Sequence, residues 1–142
     1  MSTINEMLTR FEQVNLVELT ADAMEQQPNV SVELNRDQML EGKRSNNEQI
    51  GEYRPLSVFE RSRIGRQTSY VDLYLTGEFQ SRMYQKINGD DFDLDSSDTK
   101  RDKLVFQYKD NIFGLTSESK RIAWIEYTPY VVQGIKNITG TQ

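Results

Sequence analysis

Glycine, proline and short polar runs break up the middle of this chain, residues 38–81, so that no long helix or strand can pass through it. Glu41-Gly42-Lys43-Arg44-Ser45-Asn46-Asn47 runs into Ile50-Gly51-Glu52-Tyr53-Arg54-Pro55-Leu56. Gly42, the Ser-Asn-Asn run, Gly51 and Pro55 mark an extended polar loop over 41–55. Ser57 with Glu60 three residues on predicts a capped short helix that Gly65 ends. Tyr70-Val71-Asp72-Leu73-Tyr74-Leu75-Thr76 is rich in β-formers and reads as a strand. Regular structure of any length is thereby confined to the two ends.

Those ends are periodic. Ile4, Met7, Leu8, Phe11, Val14 and Val17 recur at helical spacing, continued by Ala21 and Met24, and predict one helix over 1–27 that stops before Pro28. Asn29 or Ser31 opens a second helix through Leu34 and Leu40, although Val30-Val32-Leu34 also alternates like a short strand. Phe79, Met83 and Ile87 fit either a helix or a helical turn running into a strand. Asn88-Gly89 is a hairpin signal, and Phe92 and Leu94 alternate with Asp91, Asp93 and Asp95 as a half-buried strand should. Ser97 or Asp98 caps a helix through Leu104, Val105 and Tyr108. Thr116 or Ser117 opens a last long helix, with Ile122, Ile125, Val132 and Ile135 as inward residues and Pro129 as a point of kinking or splitting. The expected fold is α+β, a single domain over 1–142. A short, mostly antiparallel sheet is covered by helices, with long helices at both ends and a flexible tail at 139–142.

Composition narrows function. Among 142 residues there is no histidine and no cysteine. That removes the usual general base, the thiolate nucleophile and the commonest transition-metal ligands. Asp91-Phe92-Asp93-Leu94-Asp95 is the densest carboxylate cluster, but Ser96 and Asp102 stand where a calcium loop needs glycine and glutamate. Gly42 and Gly51 are not followed by the Lys-Ser or Lys-Thr of a phosphate loop. The residues therefore point away from an enzyme and call for no cofactor. No apolar run is long enough for a membrane span, and a cytoplasmic product is the expectation.

Net charge is −5 but uneven. Residues 1–35 hold six acids against Arg10 alone, whereas residues 36–66 hold seven basic and five acidic side chains. Arg44, Arg54, Arg61, Arg63 and Arg66 make the middle mildly basic, enough to orient docking between subunits and too little for nucleic acid as more than an incidental ligand. Tyrosine and tryptophan suit half-wet interfaces, so Tyr53, Tyr74 and Trp124 join these arginines as interface candidates. The hydrophobic fraction of 36% is low for a self-contained globule, and the 41–55 loop is expected to order against a neighbour.

Asn35-Arg36-Asp37-Gln38-Met39-Leu40-Glu41-Gly42, Gly51-Glu52-Tyr53-Arg54-Pro55-Leu56 and Val71-Asp72-Leu73 through Leu75-Thr76-Gly77-Glu78-Phe79 resemble small virion proteins of tailed bacteriophages. The pattern is most similar to versions from phages and prophages of Bacteroidota. It continues through Asp95-Ser96-Ser97-Asp98-Thr99-Lys100 to Asn111-Ile112-Phe113-Gly114-Leu115-Thr116. Pro55-Leu56-Ser57 and Leu73-Tyr74-Leu75-Thr76-Gly77 sit where tail-completion and neck proteins carry similar elements, although Tyr53 and Arg54 stand where that looser pattern often has tryptophan. The resemblance implies a non-catalytic virion subunit, made in the host cytoplasm. Copies form a ring at the head–tail junction, beside portal, adaptor or tail-tube proteins. Decoration, packaged and tail-tip roles, or a cytoplasmic protein-binding adaptor, are the alternatives.

Overall fold

The structure, a computed structural model, describes residues 3–141. Helices α1 (Ile4–Glu12), α2 (Leu16–Gln26), α3 (Asn29–Leu40), α4 (Pro55–Arg63) and α5 (Glu78–Ser81) precede a two-stranded hairpin, β1 (Met83–Asn88) and β2 (Asp91–Ser96). Helix α6 (Arg101–Tyr108), a 3-10 turn (Asp110–Ile112) and α7 (Ser117–Thr139) complete a small α+β fold. Helices α1, α2 and α3 pack on α7, and α3 also packs on β1. The core between them is centred on Val32, Met39, Val71 and Ile112, all at most 2% exposed.

The N-terminal region is two helices, not the single helix over 1–27. Residues 1 and 2 lie outside the described residues. The Thr3 hydroxyl accepts the Glu6 N–H while the Glu6 carboxylate accepts the Thr3 N–H, a capping box that starts α1. Gln13 and Val14 then close a tight last turn onto Arg10 and Phe11. The Asn15 side chain accepts the Glu18 N–H and starts α2 afresh. An asparagine that competes for the backbone therefore interrupts a continuous apolar stripe.

Residues 29–40 form a helix, which resolves the helix-or-strand alternative. Residues 70–76 do not form a strand. Leu73 has φ +60°, a left-handed conformation that no strand accommodates, and the backbone N–H groups of Asp72 and Leu73 donate to the Tyr53 hydroxyl instead of a ladder. Of the two readings for 79–87, the helical turn running into a strand is the observed one. Strands β1 and β2 pair antiparallel from Met83–Ser96 to Asn88–Asp91, joined by Gly89-Asp90, with Gly89 at φ +64°. Glycine first is the order of a type II′ connection. Helix α4 starts at Pro55, two residues before the Ser57 cap, because proline is favoured at the first helical position. Helix α6 starts at Arg101, since Asp98 uses its side chain on the Lys100 N–H and its carbonyl on the Arg101 N–H.

Helix α7 runs without interruption through Pro129. Its inward face differs from the expected one: Ser119, Ala123, Tyr127 and Val131 are buried, while Ile125 and Val132 are 55% and 41% exposed. A Cβ on Gly134 would lie 2.6 Å from the Leu19 side chain, so α2 sits tightly against that end of α7. Thr139 is the last residue of α7, buried, with its hydroxyl donating to the Ile135 carbonyl. Gly140, at φ +72°, ends the helix, and Gln142 lies outside the described residues.

The 41–55 loop is held by its own chain. The Arg44 guanidinium donates to the carbonyls of Tyr108, Gln49 and Ile50 and to Asn111 Oδ1, while the Ser45 N–H donates to the Asn111 carbonyl. Lys43 and Gln49 form an isolated bridge across its turn. These bonds tie the loop to residues 108–111 of its own chain.

Candidate interaction surface

Two side chains singled out from the sequence, Arg61 and Tyr53, meet at Asp72, inside the molecule. Helix α4 carries Arg61 towards the extended 70–76 segment, where Asp72 turns inward. Arg61 Nη2 donates to Asp72 Oδ1 at 2.8 Å, with the two side chains 6% and 7% exposed. Arg61 Nε donates to the Gln67 carbonyl at 3.0 Å, and its guanidinium lies 4.2 Å from the Tyr53 ring centre. The Tyr53 hydroxyl donates to Asp72 Oδ1 at 2.9 Å while accepting the N–H groups of Asp72 and Leu73. The Tyr74 N–H adds a further donor to Asp72 Oδ1 at 2.9 Å. A shielded ion pair is held only where further hydrogen bonds support it, and Asp72 Oδ1 takes three donors here while Arg61 adds a bond to the Gln67 carbonyl. The knot joins α4, the 41–55 loop and the 70–76 segment, so Arg61 and Tyr53 are framework residues instead of docking residues. Arg44 is framework for the same reason.

Burial is the main cause that pushes Tyr53 up to about 12 from its ordinary value of 10.0, and its bond to the Asp72 carboxylate adds to the rise. The folded group thus ionises later than the unfolded one. Its contribution to stability is intact below pH 10.0 and is lost as pH rises towards about 12, because only the unfolded chain then releases the proton. Denaturant unfolding across this alkaline window should show stability falling with pH, and Tyr53→Phe should flatten part of that slope. An unchanged slope in the variant would contradict the assignment.

The other candidates remain outside to different degrees. Arg54 and Arg63 are exposed, the latter 5.9 Å over the Phe59 ring. Arg66 donates to the Leu75 carbonyl at 2.7 Å and stacks 4.7 Å over Tyr74, leaving both half-buried. Trp124 is 48% exposed on α7, away from these arginines in the chain.

Side chains the charge argument passed over complete the surface. On α4, Leu56 is 70% and Phe59 62% exposed, and Ile64 just after it is also exposed. On α1, Ile4, Met7, Leu8 and Phe11 are all exposed, and no α1 residue is buried. The signal was present as i, i+3, i+4, i+7 spacing, but such a stripe is normally covered by its own core. Between α4 and α6 lies an open groove of about 420 Å³, walled by Ile64, Leu75, Leu104 and Tyr108, with Lys100 and Lys103 on the α6 rim. Large apolar side chains left in water beside a lined groove mark an association surface.

Chemistry is less well served. A pocket of about 700 Å³ lies between the hairpin and the loop before α7, where Asp91, Asp93 and Asp95 mix with Lys86, Arg101 and Lys120. Asp95 is tied to Arg101 at 2.8 Å, so its charge is matched locally. Among the described residues no cluster of three metal-ligating side chains occurs, and no helix is long and apolar enough to cross a membrane. Comparisons with protein-family models, with curated proteins and with solved structures find no match to this chain.

Proposed function

We propose that this chain is a structural subunit of a tailed-bacteriophage particle, one of a ring of identical copies at the junction of head and tail, with no catalytic role. The observation that carries this reading is the outward apolar surface on both α1 and α4, at unlike ends of the charge distribution. Closed rings are built from heterologous contacts, in which one patch fits a different patch on the next copy. From Thr3 to Gln26 the chain carries Glu6, Glu12, Glu18, Asp22 and Glu25 against Arg10, while α4 and its flank carry Arg54, Arg63 and Arg66. Unlike, oppositely charged faces meet that requirement. The resemblance of residues 35–116 to small phage virion proteins supplies the particle, and the portal, adaptor or tail-tube proteins beside the ring belong to the same proposal.

Sedimentation of the purified chain from low to high micromolar concentration tests it. The native chain should associate as concentration rises, and Leu56→Glu with Phe59→Glu should suppress association while leaving the far-ultraviolet spectrum intact, because both side chains are already in water. A native chain that stays monomeric throughout would count against the proposal.

A further inference from the structure

We infer that the α4–α6 groove is the seat for helix α1 of a second copy of this chain. The inference rests on the ring reading and names its contact. Helix-in-groove recognition uses an amphipathic helix that presents anchors at i, i+3, i+4 and i+7. Ile4, Met7, Leu8 and Phe11 have that spacing, and each is about half or more exposed within its own chain. The groove offers apolar walls from Ile64, Leu75 and Leu104.

A chain's own α1 does not fill its groove. Helix α1 packs on α7, and Arg10 Nη1 donates to the Thr139 carbonyl at 3.3 Å, which fixes it at the C-terminal end of that helix. A second copy is the occupant that brings the same stripe from outside. Charge agrees. Lys100 and Lys103 on the rim make no ion pair among the described residues, and Glu60 and Glu78 face them across the groove. Arg66, bonded to the groove residue Leu75, and Arg54, next to the groove residue Tyr53, then leave the neighbourhood net basic, opposite an N-terminal segment that is net acidic. A nine-residue helix is small beside the roughly 1,200–2,000 Å² of a stable pairwise interface. The contact is therefore weak in one pair and is consolidated by ring closure.

The chain has no cysteine, so engineered pairs report cleanly. Full-length Met7→Cys and Gln107→Cys proteins, mixed under mild oxidation, should give a covalent heterodimer, because Gln107 lines the groove. Adding Lys100→Glu and Lys103→Glu to the groove partner should lose most of the product; both lysines are exposed, so the fold is spared. Trp124→Cys on α7 should link poorly to Met7→Cys. Equal linking at Trp124, or Met7–Met7 products in place of Met7–Gln107, would overturn the contact. Association of the native chain without the Met7–Gln107 link would overturn this contact and leave the ring reading standing. Neither association nor link would overturn both.

Discussion

Asp72→Ala lowers the unfolding free energy by about 3–5 kcal/mol, the range for breaking a buried ion pair from one side. The loss is large because the substitution strands what Asp72 satisfied. Arg61 is 5% exposed and keeps a full charge with no carboxylate to meet it. The Tyr53 hydroxyl and the Tyr74 N–H lose the same acceptor oxygen. Arg61→Ala is expected to cost less than Asp72→Ala. It leaves the carboxylate with two of its donors, Tyr53 and Tyr74, and buried carboxylates are neutralised more readily than guanidinium groups. Urea denaturation followed by circular dichroism measures both. A loss below 1 kcal/mol for Asp72→Ala would mean that the pair is solvated in solution and that the knot does not organise the α4 face.

Asn35→Ala is the second large effect, at about 2–4 kcal/mol, from leaving a buried acceptor and a donor unpaired at roughly 1–3 kcal/mol each. Asn35 is fully buried on α3. Its Nδ2 donates to the Ile112 carbonyl at 3.0 Å, and its Oδ1 accepts the Gly114 N–H at 3.0 Å. Gln38, one turn on, repeats the arrangement with the Gly114 carbonyl and the Thr116 N–H. Two amides on one helix thus stand in for a missing strand along residues 112–116 and set where α7 begins. Since the two clamps share Gly114, the double variant with Gln38→Ala should show a non-additive loss. A denaturation midpoint that does not move for Asn35→Ala would contradict the clamp.

The elements legible in the sequence were those whose signals are local. Gly89 in the hairpin and Thr116 at the start of α7 each act within a few residues, and each stands where expected. The 70–76 segment misled because β-propensity describes a fit to a half-buried surface that tertiary context must provide. Here Tyr53 takes the backbone N–H groups, and Asp72, which looked like the outward member of an alternation, is the buried anchor. Helix α7 misled in a related way. Its large apolar residues were read as core, but α7 packs on both α2 and α3 and buries the stripe of Ser119, Ala123, Tyr127 and Val131. Among the interface candidates, charge alone did not separate Arg54 and Arg63, which face water, from Arg44 and Arg61, whose partners come from distant or turn-forming segments. The acidic-to-basic asymmetry was readable; the apolar residues that accompany it on α1 and α4 were readable only as ordinary core.

A reconstruction of a tailed particle that contains this chain tests the central claim most directly. Equivalent copies in a ring at the head–tail junction, with α1 and the α4 face covered by neighbouring protein, are the predicted result. A particle that lacks the chain, or holds it as isolated copies with both faces open to solvent, would contradict the account.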